Sequence, residues 1–81
     1  MNHDKEFVIR LSGLDLGQVI DGLEARAEAW RQTATFLETG EAPDGVVIEE
    51  CSDAEEAHGL AENYRRILRS LMQQQTEQRD R

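Results

Sequence analysis

Residues 14–39, LDLGQVIDGLEARAEAWRQTATFLET, decide how the rest of the chain is read. Their apolar positions Leu16, Ile20, Leu23, Ala27, Trp30, Ala34 and Leu37 step by four and three in strict alternation. That is the spacing of a single helix face, and Val19 and Phe36 widen it. Ser12 with Asp15 three residues on forms a capping-box pattern at the start. Gly40 supplies the left-handed residue that commonly ends such a helix.

From this helix the reading works outward. The stretch 41-EAPDG-45 is turn chemistry, with Pro43 presetting its own φ and Asp44-Gly45 closing the turn across residues 40–45. Residues 46–51, VVIEEC, read as a short strand or extended segment. A second helix is expected over about residues 53–74, opened by a Ser52…Glu55 capping box. Asp53, Glu55 and Glu56 favour the positive end of its dipole. Its seam is Ala57, Ala61, Tyr64, Leu68 and Leu71, with Leu60 and Ile67 alongside. Beyond Met72 no apolar residue occurs, and a disordered tail is expected over about 75–81. At the other end, 5-KEFVIRL-11 alternates Phe7, Ile9 and Leu11 against Val8 and Arg10, a strand signal.

Two matching seams and a short connection predict a mostly α fold: an antiparallel two-helix hairpin with one or two short β or extended segments, forming one small domain over 1–81. A helix of about 25 residues is ~37 Å long, and two of them leave much apolar surface wet. Dimerisation into a four-helix bundle would bury both seams. The extended segments lie at opposite ends of the first helix, so pairing across a homodimer would also satisfy their backbones. In this reading Leu16, Ile20, Leu23, Trp30, Leu37, Tyr64, Leu68 and Leu71 hold the scaffold.

Composition narrows the function. The 81 residues carry 17 Asp plus Glu against 9 Lys plus Arg, a net charge of −8. That field opposes direct contact with nucleic acid or anionic membranes, where affinity comes from cations on phosphate. The partners it allows are the chain itself, cations, and basic or nucleic-acid-binding proteins. The single cysteine, Cys51, excludes an intramolecular disulfide. No apolar run approaches the length of a membrane span and no signal-peptide pattern occurs, so a soluble cytoplasmic protein is expected.

Three constellations bear on chemistry. Glu55-x-x-His58 has the Glu-x-x-His spacing of ferritin-like carboxylate sites, and Glu24 and Glu28 on the first helix offer further carboxylates. On those residues the chain resembles the two-helix encapsulated ferritins, in which a helical hairpin completes a di-iron site on dimerising. The resemblance implies iron held by Glu55 and His58 with Glu24 or Glu28. Helix geometry turns these side chains away from the seam, with His58 about 100° and Glu55 about 160° from it. Cys51 sits near a helix start but among carboxylates that oppose its ionisation. No glycine-rich phosphate loop, paired cysteines or Ser/His/Asp set appears, so neither an enzyme nor a cofactor is expected.

The third constellation is the charge gap. Between Arg31 and Arg65 there is no Lys or Arg, while Glu38, Glu41, Asp44, Glu49, Glu50, Asp53, Glu55, Glu56 and Glu62 all fall there. Solubility and dipole compensation account for part of this. The functional reading is a face made of Glu41, Asp44, Glu49, Glu50, Asp53, Glu55 and Glu56 that docks on a basic partner as an inhibitor or regulator. In its strongest form the carboxylates imitate nucleic-acid phosphates and occupy a cationic groove. The rival from another class is the metal-binding hairpin. A third reading is a structural subunit of a larger assembly, joined through apolar faces. Gly22 and Gly59 lie on outward sides of their helices, where each costs about 1 kcal/mol relative to Ala. Close packing of a partner against the backbone would give that cost a reason.

Overall fold

The computed structural model describes residues 4–79; His3 and the end of the expected tail, residues 80–81, lie outside them. Helix α1 runs Gly13–Thr39. Its cap is the expected one: Ser12 is extended and its Oγ accepts the Asp15 N–H at 3.0 Å. At the far end Gly40 adopts φ 77° and its N–H donates to the Phe36 carbonyl at 2.7 Å. Residues with a side chain rarely adopt that left-handed conformation, so glycine is what lets the chain leave the helix and turn back. The next turn closes with Val46 N–H on the Pro43 carbonyl at 3.4 Å, and Gly45 takes the positive φ of 82°.

Helix α2 runs Ala54–Arg79, and both of its ends differ from the sequence reading. The cap is Asp53, not Ser52. Asp53 Oδ1 accepts the Glu56 N–H at 2.9 Å, and Glu56 Oε1 reaches back to the Ser52 N–H at 3.5 Å. A carboxylate is the stronger acceptor for an orphan helix N–H, so the capping box forms one residue later with Glu56 as its return arm. At the other end the residues expected to fray stay helical to Arg79. Gln, Glu and Arg are good helix formers, and extending a nucleated helix needs no apolar face. Side-chain bonds one turn apart assist: Gln73 to Glu77 at 3.2 Å and Gln74 to Ser70 at 3.0 Å.

Among the described residues there is no β-strand. Segments 5–11 and 46–51, expected as short β or extended segments, form no strand here. A strand needs a neighbour to share its ladder, and these two segments stand at opposite ends of α1. Residues 46–51 are held by side chains instead.

The helices pack antiparallel around a core built chiefly of alanine. Ala27, Trp30, Ala34, Ala57, Ala61 and Leu68 are buried, and Thr33 is fully buried with them. Small side chains at the crossing let the backbones approach, and Trp30 fills the volume that remains. Leu16, Ile20, Leu23, Tyr64 and Leu71 are half-buried. Leu37, the seam residue nearest the end of α1, is 43% exposed in the single chain. The molecule measures 47 × 32 × 17 Å. Its thinnest dimension is about one and a half helix diameters of ~10–12 Å.

Candidate interaction surfaces

Call the end bearing residues 40–53 the closed end, and the end where α1 starts and α2 finishes the open end. At the closed end, segment 46–51 lies across the helices and is fastened by two side chains of α1. Thr33 Oγ1 accepts the Glu49 N–H at 2.9 Å while its own hydroxyl donates to the Ala29 carbonyl at 2.8 Å. Arg26 Nη1 donates to Glu49 Oε1 at 2.7 Å. The same guanidinium stands over the rings of Trp30 and Tyr64, 5.6 and 5.8 Å from their centroids. Such stacking suits the planar, weakly hydrated guanidinium and adds cation–π attraction. Arg26 was not singled out from the sequence. Its one signal there was the four-residue step to Trp30, which puts the two on one helix face.

This fastening redistributes the expected acidic face. Glu49 is committed to Arg26, and Asp53 and Glu56 serve the α2 cap. Glu41, Asp44, Glu50 and Glu55 are exposed and form no ion pair among the described residues. Glu38 pairs with His58 Nε2 at 2.9 Å, and Glu62 with Arg69 at 3.1 Å. Four free carboxylates and two capping ones therefore remain on the closed end.

Cys51 is half-buried against the core cluster. Burial pushes its thiol above the ordinary value, and Glu56 and Asp53 push it further. A raised thiol is a poor nucleophile at neutral pH.

The residues of the ferritin-like reading are not brought together. His58 reaches Glu38, whereas Glu28 bonds Arg31, accepts from Gln32 at 2.9 Å and lies 3.9 Å from Arg65. Residues 58 and 65 are seven positions apart on α2, which is about 10 Å of helix. Arg31, with help from Gln32 and Arg65, holds the Glu28 carboxyl down at about 2. Among the described residues no three His, Cys, Asp or Glu side chains converge as a metal site would require. Glu24 and Glu28 instead line an open cleft of about 440 Å³ opposite Arg65 and Arg69.

The exposed large apolar side chains are unevenly spread. Phe7, Val8, Ile9, Leu11, Leu14, Val19 and Met72 belong to the N-terminal arm, residues 5–11, and the open half, against Leu37, Val47 and Ile48 at the closed end. Trp30 Nε1 is buried without a hydrogen-bond partner among the described residues. At Gly22 and Gly59 an added methyl would meet nothing within 4 Å.

No protein-family model, curated protein or solved structure matches this chain. None of the described helices is long and apolar enough to cross a membrane.

Proposed function

We propose that the chain is a non-enzymatic protein–protein interaction module, which self-associates into a four-helix bundle and presents its acidic closed ends to a basic or nucleic-acid-binding partner. The observation that carries this reading is the separation of two unsatisfied surfaces. Exposed apolar side chains concentrate at the open end. Carboxylates without cations, Glu41, Asp44, Glu50 and Glu55, stand at the closed end. Apolar surface is the kind that a permanent contact covers, while a focused negative field steers and selects a cationic partner. The raised Cys51 thiol makes a poor nucleophile, in keeping with a binding role.

The test compares the chain with a variant in which Glu41, Glu50 and Glu55 become Gln and Asp44 becomes Asn. These side chains are exposed and unpaired, so the fold is expected to survive. Both proteins are used as bait in host lysate and eluted over a salt gradient. A basic protein held by the original chain, released by moderate salt and absent from the variant, is the expected result. Identical capture by both baits overturns acidic docking. If a partner then elutes only with detergent, the exposed apolar side chains favour the second reading, a structural subunit of a larger assembly.

A further inference from the structure

The closed half of the hairpin contains a worked example of what the open half lacks. Segment 46–51 crosses the face formed by Arg26 and Trp30 of α1 with Leu60 and Tyr64 of α2. Moving seven residues toward the open end along each helix leads to Val19, Leu23, Ile67 and Leu71. Seven residues are almost two whole turns, so these four occupy the same face two turns further on. Val19 is 42% exposed and the other three are half-buried. Among the described residues no segment covers this face as 46–51 covers its counterpart.

One unused segment has the matching character. In 7-FVIR-10 three apolar residues precede a charge, as in 46-VVIE-49. The arm touches little of its own hairpin: Phe7 is 74%, Val8 94% and Ile9 75% exposed. Such exposure means that the arm does not pack on that face of its own chain.

The amount of exposed surface says what covers both. A folded monomer of 9.2 kDa should expose about 4,900 Å², and this chain exposes 6627 Å². The excess, about 1,700 Å², is roughly twice the ~800 Å² that each partner gives to an ordinary stable interface. A hairpin of two packed helices also lacks the second layer that domains use to close a core. Folding the arm back on its own chain would fill the groove and leave the single layer.

We infer that a second copy of this chain covers the open half, and that residues 5–11 of each copy cross onto the Val19–Leu23–Ile67–Leu71 face of the other. The exchange is reciprocal, so one two-fold axis satisfies both grooves. It places the acidic closed ends away from the contact, where mutual repulsion is least. The inference rests on the self-association in the proposed function and is independent of acidic docking.

The full chain, measured by light scattering on a sizing column across a concentration series, should show a mass of two chains that falls on dilution. Replacing Val8 and Ile9 with Ser removes two buried aliphatic groups and should raise the dissociation constant about 100-fold or more. Those side chains are exposed within one chain, so helicity by circular dichroism should be unchanged. A cross-link then identifies the chain that supplies the arm. With Cys51→Ser as background, Ile9→Cys and Ile67→Cys under mild oxidation should give a covalent two-chain product. A monomer at every concentration overturns this inference together with self-association. A dimer that the Ser variant leaves intact overturns the arm's role alone. A cross-link closed within one chain shows the arm folding on its own hairpin and overturns the exchange.

Discussion

The two halves of the hairpin share a helix pair and a heptad pattern, yet only one is finished. In the closed half, Trp30, Ala34, Ala57 and Ala61 are buried and segment 46–51 is laid over them. In the open half, Leu16, Ile20 and Leu23 are half-buried opposite a stretch of α2 that runs into glutamines 73–75. The difference comes from chain connectivity. The link between the helices has to pass the closed end, and Thr33 and Arg26 capture it as it does. At the open end, residues 5–11 are exposed and do not pack over the helix pair in the same way. Equal periodicity therefore does not give equal burial: a seam is completed only where a further segment passes over it.

The largest expected effect tests that contrast directly. Trp30→Ala opens a cavity in the finished half and should cost about 3–5 kcal/mol in urea unfolding. Leu23→Ala, seven residues away on the same face, should cost less than about 2 kcal/mol at concentrations where the chain is monomeric. Its cost should grow with concentration as the dimer forms. Equal, concentration-independent losses would mean the open half is already closed within one chain.

Next in size is Thr33→Val, which keeps the shape but removes both hydroxyl bonds. The Glu49 N–H loses its partner in a half-buried place, and the expected cost is about 1–2 kcal/mol. Faster amide exchange confined to residues 46–51 would identify the loss as release of the segment. Uniform acceleration along both helices would instead make Thr33 a general core residue.

Gly22→Ala and Gly59→Ala should each raise stability by about 0.5–1 kcal/mol, because a methyl meets open space at both and helix propensity rises. Gly22 lies in the open half and Gly59 in the closed half. Stabilisation at Gly59 with failure at Gly22 above the dimer's dissociation constant would place a close backbone contact in the open half and sharpen the difference between the two.

The smallest effect is in the acid range. Arg31, then Gln32 and Arg65, lower the Glu28 carboxyl from its usual 4.5 to about 2. A depressed carboxylate contributes stability above its unfolded pKa and loses it as pH falls, here between about 4.5 and 2. The side chain is 45% exposed, so solvent screening holds the contribution to about 1 kcal/mol or less. Glu28→Gln should therefore be slightly less stable than the original chain at pH 6 and indistinguishable from it near pH 2. A difference that persists at pH 2 would assign the effect to packing in the cleft rather than to charge.

Much of the scaffold was legible in the residues. Seam spacing, the Ser12 cap and the Gly40 stop define α1 because each is a local rule acting over three to seven residues. The seam of α2 follows for the same reason. Its ends did not, because Ser52 and Asp53 compete for one cap, and because residues 73–79 are helical without any apolar signature. The seven-residue acidic face was visible as composition. Which of its carboxylates stay free was not, since Arg26 lies 23 residues from Glu49.

The sequence by itself determined two helices, their facing stripes, the turn that reverses the chain and a closed end rich in carboxylate, since all of these depend on near neighbours. Only the tertiary structure decided that 46–51 is a fastened strap rather than a strand, and that Arg26 is its anchor. It also separated Glu28 from His58, and left one half of the hairpin open while closing the other. Those outcomes depend on which distant segments meet. A short-range code cannot state that, because the free energy of a contact is realised only when both of its sides are in place.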